Sequence, residues 1–102
     1  MVKQYKGHYP YKEEHITLNA PASIGVYYCG AVLSNGNLLP HYVGKGAGER
    51  GVWGRLLDHI RQERWYDITH FGFIECDSEQ EALNLEGVEI KRFQPKYNIQ
   101  RK

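Results

Sequence analysis

The sequence predicts a small mixed α+β domain with its elements in the order β-β-α-β-α. Three observations predict it. The chain has 102 residues, enough for one hydrophobic core. Two β-branched and aromatic runs, 24–33 and 38–45, flank the turn-forming Ser-Asn-Gly-Asn of residues 34–37 and read as an antiparallel hairpin. Two later stretches carry apolar residues at helical spacing, with one more strand-like run between them.

Residues 1–21 interleave Lys3, Tyr5, Lys6, His8, Tyr9, Tyr11 and Lys12, and Pro10 and Pro21 interrupt them. They read as an arm lying across a domain formed by residues 22–102, although basic and aromatic residues so mixed also suit stacking on single-stranded nucleic acid. In the hairpin, Pro40 suits an edge or a bulge of the second strand. Trp53, Leu56, Leu57 and Ile60 place a helix on residues 49–64, weakened slightly by Gly54. "ITHFGFIEC", residues 68–76, is the third strand. Asp77 or Ser78 caps a second helix with acidic residues in its first turn, and that helix must end before Pro95. The tail "KYNI" reads as short and extended.

Composition excludes several classes. Hydrophobic content is 41% and no apolar run is long enough to span a membrane. The amino terminus lacks the apolar stretch of a secretory signal, and the two cysteines, Cys29 and Cys76, sit in strand-like segments as buried free thiols. A cytoplasmic or nucleoid-associated protein is expected. A net charge of +1 is too small to hold DNA by bulk electrostatics, so a nucleic-acid role needs a local patch, a partner or a metal ion. Eight tyrosines in so short a chain are unusual.

Residues 42–51, "YVGKGAGERG", contain a formal Gly-x-Gly-x-x-Gly. A dinucleotide site needs that motif between the first strand and helix of a parallel βαβ unit; here it follows the second arm of a hairpin, with too little chain remaining for two mononucleotide halves. No nucleotide cofactor is expected, and no P-loop is present. What remains is glycine backbone able to approach a ligand closely, a helix amino terminus, and the charges of Lys45 and Arg50. The plain alternative is a tight strand-to-helix connection with solvated charges.

The second helix carries a carboxylate where apolar residues belong. At the helical period Ala82, Leu83, Ile90 and Phe93 share a stripe, and Glu86 falls within it. A carboxylate so placed needs a cation, either a basic side chain or a metal ion. On the first helix Arg55 and His59 are neighbours at i, i+4, roughly 130° from the centre of the apolar stripe, free to face a site or water. With Lys45 and two strand tyrosines, these residues form a set suited to phosphodiester cleavage, which needs a base, cationic cover and a metal.

The motifs then resemble a known family. Gly25-Val26-Tyr27 and Tyr42-Val43-Gly44 look like the two halves of the GIY-YIG nuclease signature. Arg55-Leu56-x-x-His59 resembles the family's helical arginine and the hydrogen-bonding residue four later, and "ALNLEGVEIKRFQPKYN" resembles its glutamate-bearing helix and terminal Pro-x-Tyr-Asn. The resemblance covers residues 24–98 and implies a central three-stranded antiparallel sheet flanked by helices. It implies a metal-dependent DNA endonuclease that nicks one strand per active site. Tyr27 and Tyr42 would lie side by side, one of them, Tyr27 for preference, acting on the attacking water. A tyrosine base would need its pKa depressed by a nearby cation, with Lys45, His59 and the metal ion as candidates, and Arg55 would stabilise negative charge on the scissile phosphate. Glu86 would be the sole protein ligand of Mg²⁺, with Mn²⁺ as a substitute, and Asn98 would orient the site by hydrogen bonds. Gly44, Lys45, Gly46 and Arg50 would lie with Arg55 along the phosphate. Two departures stand out: fourteen residues separate Tyr27 from Tyr42, and the glycine-rich segment is a small insertion before Arg55 that leaves Arg50 as the rival arginine. The match of "RLLDHI" favours Arg55. DNA is the implied partner, with targeting left to a second subunit or domain, and repair, restriction and mobile-element roles all stay open. A catalytically silent nucleic-acid-binding or interaction module on the same fold is the competing expectation.

Overall fold

A computed structural model describes residues 3–63 and 65–100. The outer ends of the expected arm and domain, and Arg64 at the end of the expected first helix, lie outside the described residues. Eight elements follow in order: β1 Lys6–Pro10, α1 Glu13–Asn19, β2 Gly25–Val32, β3 Leu38–Gly46, α2 Gly51–Gln62, β4 His70–Glu75, α3 Glu79–Phe93 and α4 Lys96–Gln100. The class is α+β, but the sheet has four strands, not three, in the order β1-β4-β2-β3. All neighbouring strands are antiparallel.

The extra strand comes from residues expected to form an arm. β1 joins the free edge of β4, pairing Lys6 with Phe73 and Tyr9 with Phe71. α1 then drops Ile16 into the core with no exposed surface. At the other edge, β2 and β3 pair in register from Gly25–Gly46 to Cys29–Tyr42, then shift to Gly30–Pro40. The shift leaves His41 as the extra residue of a bulge beside Pro40, on an edge strand where a missing N–H costs no ladder bond. The connecting turn closes through Gly36 at φ +88°, and Asn35 Oδ1 accepts from the Asn37 N–H at 2.9 Å.

Side chains alternate across the sheet, so each face has its own core. Tyr27, Cys29, Tyr42, Phe71 and Phe73 pack with Ile16 of α1 and with Val52, Leu56 and Leu57 of α2. On the opposite face Val26, Tyr28 and Val43 pack against Ala82 of α3, flanked by Leu85, Ile90 and Phe93. Ser78 caps α3 by accepting from the Glu81 N–H at 3.1 Å. Phe93 ends α3, and Pro95 follows. The tail expected to be extended is helical instead: the N–H groups of Asn98 and Ile99 bond to the Pro95 carbonyl. Cys29 and Cys76 are buried free thiols. Among the described residues no helix is long and apolar enough to cross a membrane.

Candidate active site

Tyr27 sits on the central strand β2 with no exposed surface, and its hydroxyl lies 2.7 Å from His59 Nε2. The tolerance for that hydroxyl comes from β3. Gly44 pairs directly with Tyr27, and a Cβ there would lie no more than 2.9 Å from Tyr27 Cε2 and closer still to Cζ and Oη. The glycine of the second half-motif is thus the recess into which the tyrosine of the first half fits. Tyr42, on β3, has its ring centroid 6.2 Å from that of Tyr27 and 4.9 Å from the His59 ring. The two phenols are side by side on one face, as the resemblance implies.

His59 is buried, not open to solvent as its helical angle allowed. The cover is Trp65, from the segment after α2. Its indole stacks on the imidazole at 5.0 Å and on Tyr97 of α4 at 5.2 Å. Burial pushes the Tyr27 phenol far above its usual range, the nearby Tyr42 and Cys29 add to this, and the Arg55 guanidinium beside the hydroxyl works in the opposite direction. The phenol is therefore protonated at neutral pH. In the tautomer that leaves His59 Nε2 unprotonated, the Tyr27 hydroxyl donates its proton to that nitrogen.

Glu86 of α3 feels the charges of Lys45 on β3 and Arg55 on α2. Burial raises the Glu86 pKa, and Lys45 and Arg55 hold it down, Lys45 through both its charge and its backbone N–H. The carboxylate is half-buried on the face of α3 that packs toward the sheet. The positive charge of Arg55 favours the ionised forms of both Tyr27 and Glu86, while its side chain pairs with Asp58 at 3.9 Å. Asn98 of α4 completes the β3 edge: its Oδ1 accepts from the Val43 N–H at 2.8 Å and its Nδ2 donates to the Val43 carbonyl at 2.9 Å.

The basic residues are less free than expected. Lys45 Nζ pairs with Glu79 at 3.0 Å. Arg50 stacks over Trp53 at 5.4 Å and lies 3.6 Å from Asp58, which also approaches Arg55 at 3.9 Å. Arg50, Arg55, Asp58 and Ala47 line a shallow concavity of about 300 Å³. The glycines serve close packing. A Cβ on Gly46 would fall 2.6 Å from the Val52 backbone, and Gly51 has φ +54° where α2 passes Ser23. The first N–H groups of α2 already have partners: Val52 donates to the Ser23 carbonyl and Trp53 to that of Pro21. The donors of this helix amino terminus that would attract an anion are engaged by the chain itself.

On α3 the buried face runs Ala82, Leu85, Glu86, Glu89, Ile90, Phe93, a regular i, i+3, i+4 ladder. Leu83 lies outside it and is exposed. Glu89, missed in the sequence, is the more deeply buried carboxylate; it accepts from the Tyr28 hydroxyl at 2.7 Å. Counting three residues on from Glu86 would have found it. No protein-family model and no curated protein matches this chain.

Proposed function

We propose that this protein is a metal-dependent DNA endonuclease of the GIY-YIG type, hydrolysing phosphodiester bonds and nicking one strand per active site. The observation that carries the reading is the buried Tyr27 hydroxyl 2.7 Å from His59 Nε2 with the Tyr42 ring beside them, while α3 carries the half-buried Glu86. A purely structural arrangement has no need of a half-buried carboxylate whose own burial penalises it. Among the described residues the cations that lower its pKa are Lys45, already paired with Glu79, and Arg55, which approaches Asp58.

The residues fit a divalent cation. One half-buried carboxylate suits Mg²⁺, which keeps several waters and takes its remaining ligands from substrate phosphate. No cluster of three or more acidic, histidine or cysteine side chains is found among the described residues. Glu86 would hold the ion, and the ion would supply Lewis-acid charge to the scissile phosphate. The chain's own residues do the rest. With its proton directed to His59, the Tyr27 oxygen presents a lone pair to the attacking water. Tyr27 accepts a proton from the attacking water there and passes its own proton to His59 Nε2. No free phenolate forms, so the high pKa of the buried phenol is no obstacle, and His59 ends as imidazolium. Arg55, on the phosphate, offsets the charge that develops. Tyr42 and Trp65 hold the imidazole in place.

The rival is a silent binding module, and the full burial of Tyr27 is the observation in its favour. A nicking assay on supercoiled and branched DNA decides between them. Wild-type protein cuts with Mg²⁺ and not with chelator; Glu86→Ala binds DNA without cutting; His59→Ala and Arg55→Ala each slow cutting by about 100-fold or more. Absence of Mg²⁺-dependent cutting on every substrate, or wild-type cutting by Glu86→Ala, overturns the reading.

A further inference from the structure

The sheet face away from Tyr27 holds a second cavity, of about 390 Å³, between β1, the hairpin and α3. Its walls are apolar and aromatic, formed by Tyr5, Leu38, Pro40, Ile74 and Phe93. Tyr28 is in its floor, with its ring edge-on to Tyr5 at 5.7 Å and to Phe93 at 6.4 Å. Into this lining projects the Glu89 carboxylate, whose side chain is only 9% exposed.

The carboxylate is incompletely matched. Tyr28 donates to Oε1 at 2.7 Å, but the nearest cation, Arg92, stands 3.4 Å from Oε2 and is itself largely exposed. Arg92 is instead held flat over the Phe93 ring, 4.7 Å from its centroid, at the mouth of the cavity. A carboxylate has about four acceptor sites. One strong bond and one long one leave acceptor capacity on both oxygens, in a place where leaving it unused is costly. The Tyr5 hydroxyl donates to His8 Nδ1 at 2.8 Å and His8 Nε2 donates to the Gly36 carbonyl at 3.0 Å, so these two lining groups are engaged, and the remaining polar side chain, Asn37, is exposed at the rim. The cavity therefore offers flat apolar walls, one acceptor-only pair of oxygens, and a cation at the entrance.

A planar ligand with two adjacent N–H donors on one edge meets that description. Among the nucleobases only guanine has it, in N1–H and the N2 amino group. Adenine and cytosine place an acceptor beside their amino donor, and the N–H of uracil or thymine lies between two carbonyl acceptors. We infer that this cavity binds a guanine base, with Glu89 accepting from N1–H and N2–H, Tyr5 and Phe93 flanking the ring, and Arg92 meeting the phosphate. The site lies on the opposite face from Tyr27 and does not depend on the cleavage reading. The base can come from a free guanine nucleotide or from an unpaired guanine in a nucleic acid.

The test is a titration of the whole chain, followed by amide and aromatic NMR shifts, with the 5′-monophosphates of guanosine, inosine, adenosine, cytidine and uridine. A parallel arm uses duplexes carrying a single bulged guanine or bulged adenine. The expected result is shifts at Tyr5, Tyr28 and Phe93, with guanosine monophosphate binding at least roughly tenfold more tightly than inosine monophosphate, which lacks the amino donor. Glu89→Gln, which turns one acceptor into a donor, removes that preference. The inosine comparison needs no variant, so it stands even if Glu89→Gln fails to fold. Binding of bulged guanine but not the mononucleotide assigns the nucleic-acid source, and the reverse assigns the free nucleotide. Equal response to all five nucleotides and both bulges, or a guanine preference kept by folded Glu89→Gln, overturns the proposal. Nicking measured on the same samples reports separately on the Tyr27 face.

Discussion

Gly44→Ala tests the central packing relation of the site. Gly44 is buried on β3, opposite Tyr27 on β2, and an added methyl would press on Cζ, Oη and Cε2 of the phenol. Neither partner can yield easily. β3 is fixed by its ladder to β2 on one side and by Asn98 at Val43 on the other. Tyr27 is enclosed by Tyr42, His59 and the rest of the α2-side core. Overpacking of this kind costs about 1–3 kcal/mol. Displacement of the hydroxyl also removes its bond to His59, worth about 1 kcal/mol. For a domain of this size a total near ~2–4 kcal/mol lowers Tm by on the order of 10–20 °C. Thermal unfolding followed by circular dichroism reads this directly. Adding Tyr27→Phe should recover part of the loss, because one of the clashing atoms is gone. A control is Gly87→Ala, on the exposed side of α3 with nothing within 4 Å of the new Cβ. There the helix should gain about 0.5–1 kcal/mol. Wild-type Tm in Gly44→Ala, or no rescue in the double variant, would refute the account of the two half-motifs as recess and insert.

Glu86→Gln should unfold at a higher temperature than wild type at pH 7 while losing the proposed cutting. Burial raises the pKa of Glu86, so ionisation is penalised in the folded state, and the gain should disappear below the unfolded carboxylate pKa of about 4. An unchanged or lower Tm at pH 7 would show that Glu86 is not strained by its site. Asp67 behaves in the opposite sense. Lys96, then Tyr97 at 2.6 Å, hold its pKa down at about 2, with a smaller contribution from His41. Its contribution is present above pH ~4 and lost as pH falls toward 2, so the Tm gap between wild type and Asp67→Asn should close over that window. A gap independent of pH would contradict the pairing. Tyr28→Phe, which leaves the buried Glu89 carboxylate with only Arg92, should cost about 1–3 kcal/mol in chemical denaturation, and a neutral effect would mean the hydroxyl is dispensable there.

What the sequence disclosed and what it hid follow from how locally each feature is determined. The hairpin was legible because Asn35-Gly36 and the flanking apolar runs encode it within a few residues. Both long helices were legible through their periodicity and, for α3, its cap. β1 was hidden because its backbone pairs with β4, some sixty positions away, and an edge strand of Lys, Gly, His, Tyr and Pro lacks any apolar alternation. α4 was hidden because five residues are too few to show a period. In the site, the pairing of Tyr27 with Tyr42 could be read from the half-motifs. The burial of His59 could not, since Trp65 supplies it by folding back over α2. The helical stripe placed Glu86 correctly, but the choice of Leu83 over Leu85 turned the face slightly and hid Glu89.

The arrangement also explains why a small sheet can leave an edge at its site without recruiting another strand. β3 is the open edge, and its outward groups at alternate residues are a template for pairing. Asn98 answers Val43 with both a donor and an acceptor, as a neighbouring strand would. Two residues on, the Lys45 backbone N–H favours the ionised form of Glu86. Asn98, which the resemblance assigns to the site, is therefore also a plug of the sheet edge. An Asn98 substitution frees the Val43 N–H and carbonyl as well as altering the site, so its effect on cutting is read together with its effect on stability. Stability separates the roles. Removal of Asn98 strands a backbone donor and acceptor and should destabilise, whereas neutralising Glu86 relieves a burial penalty and should not.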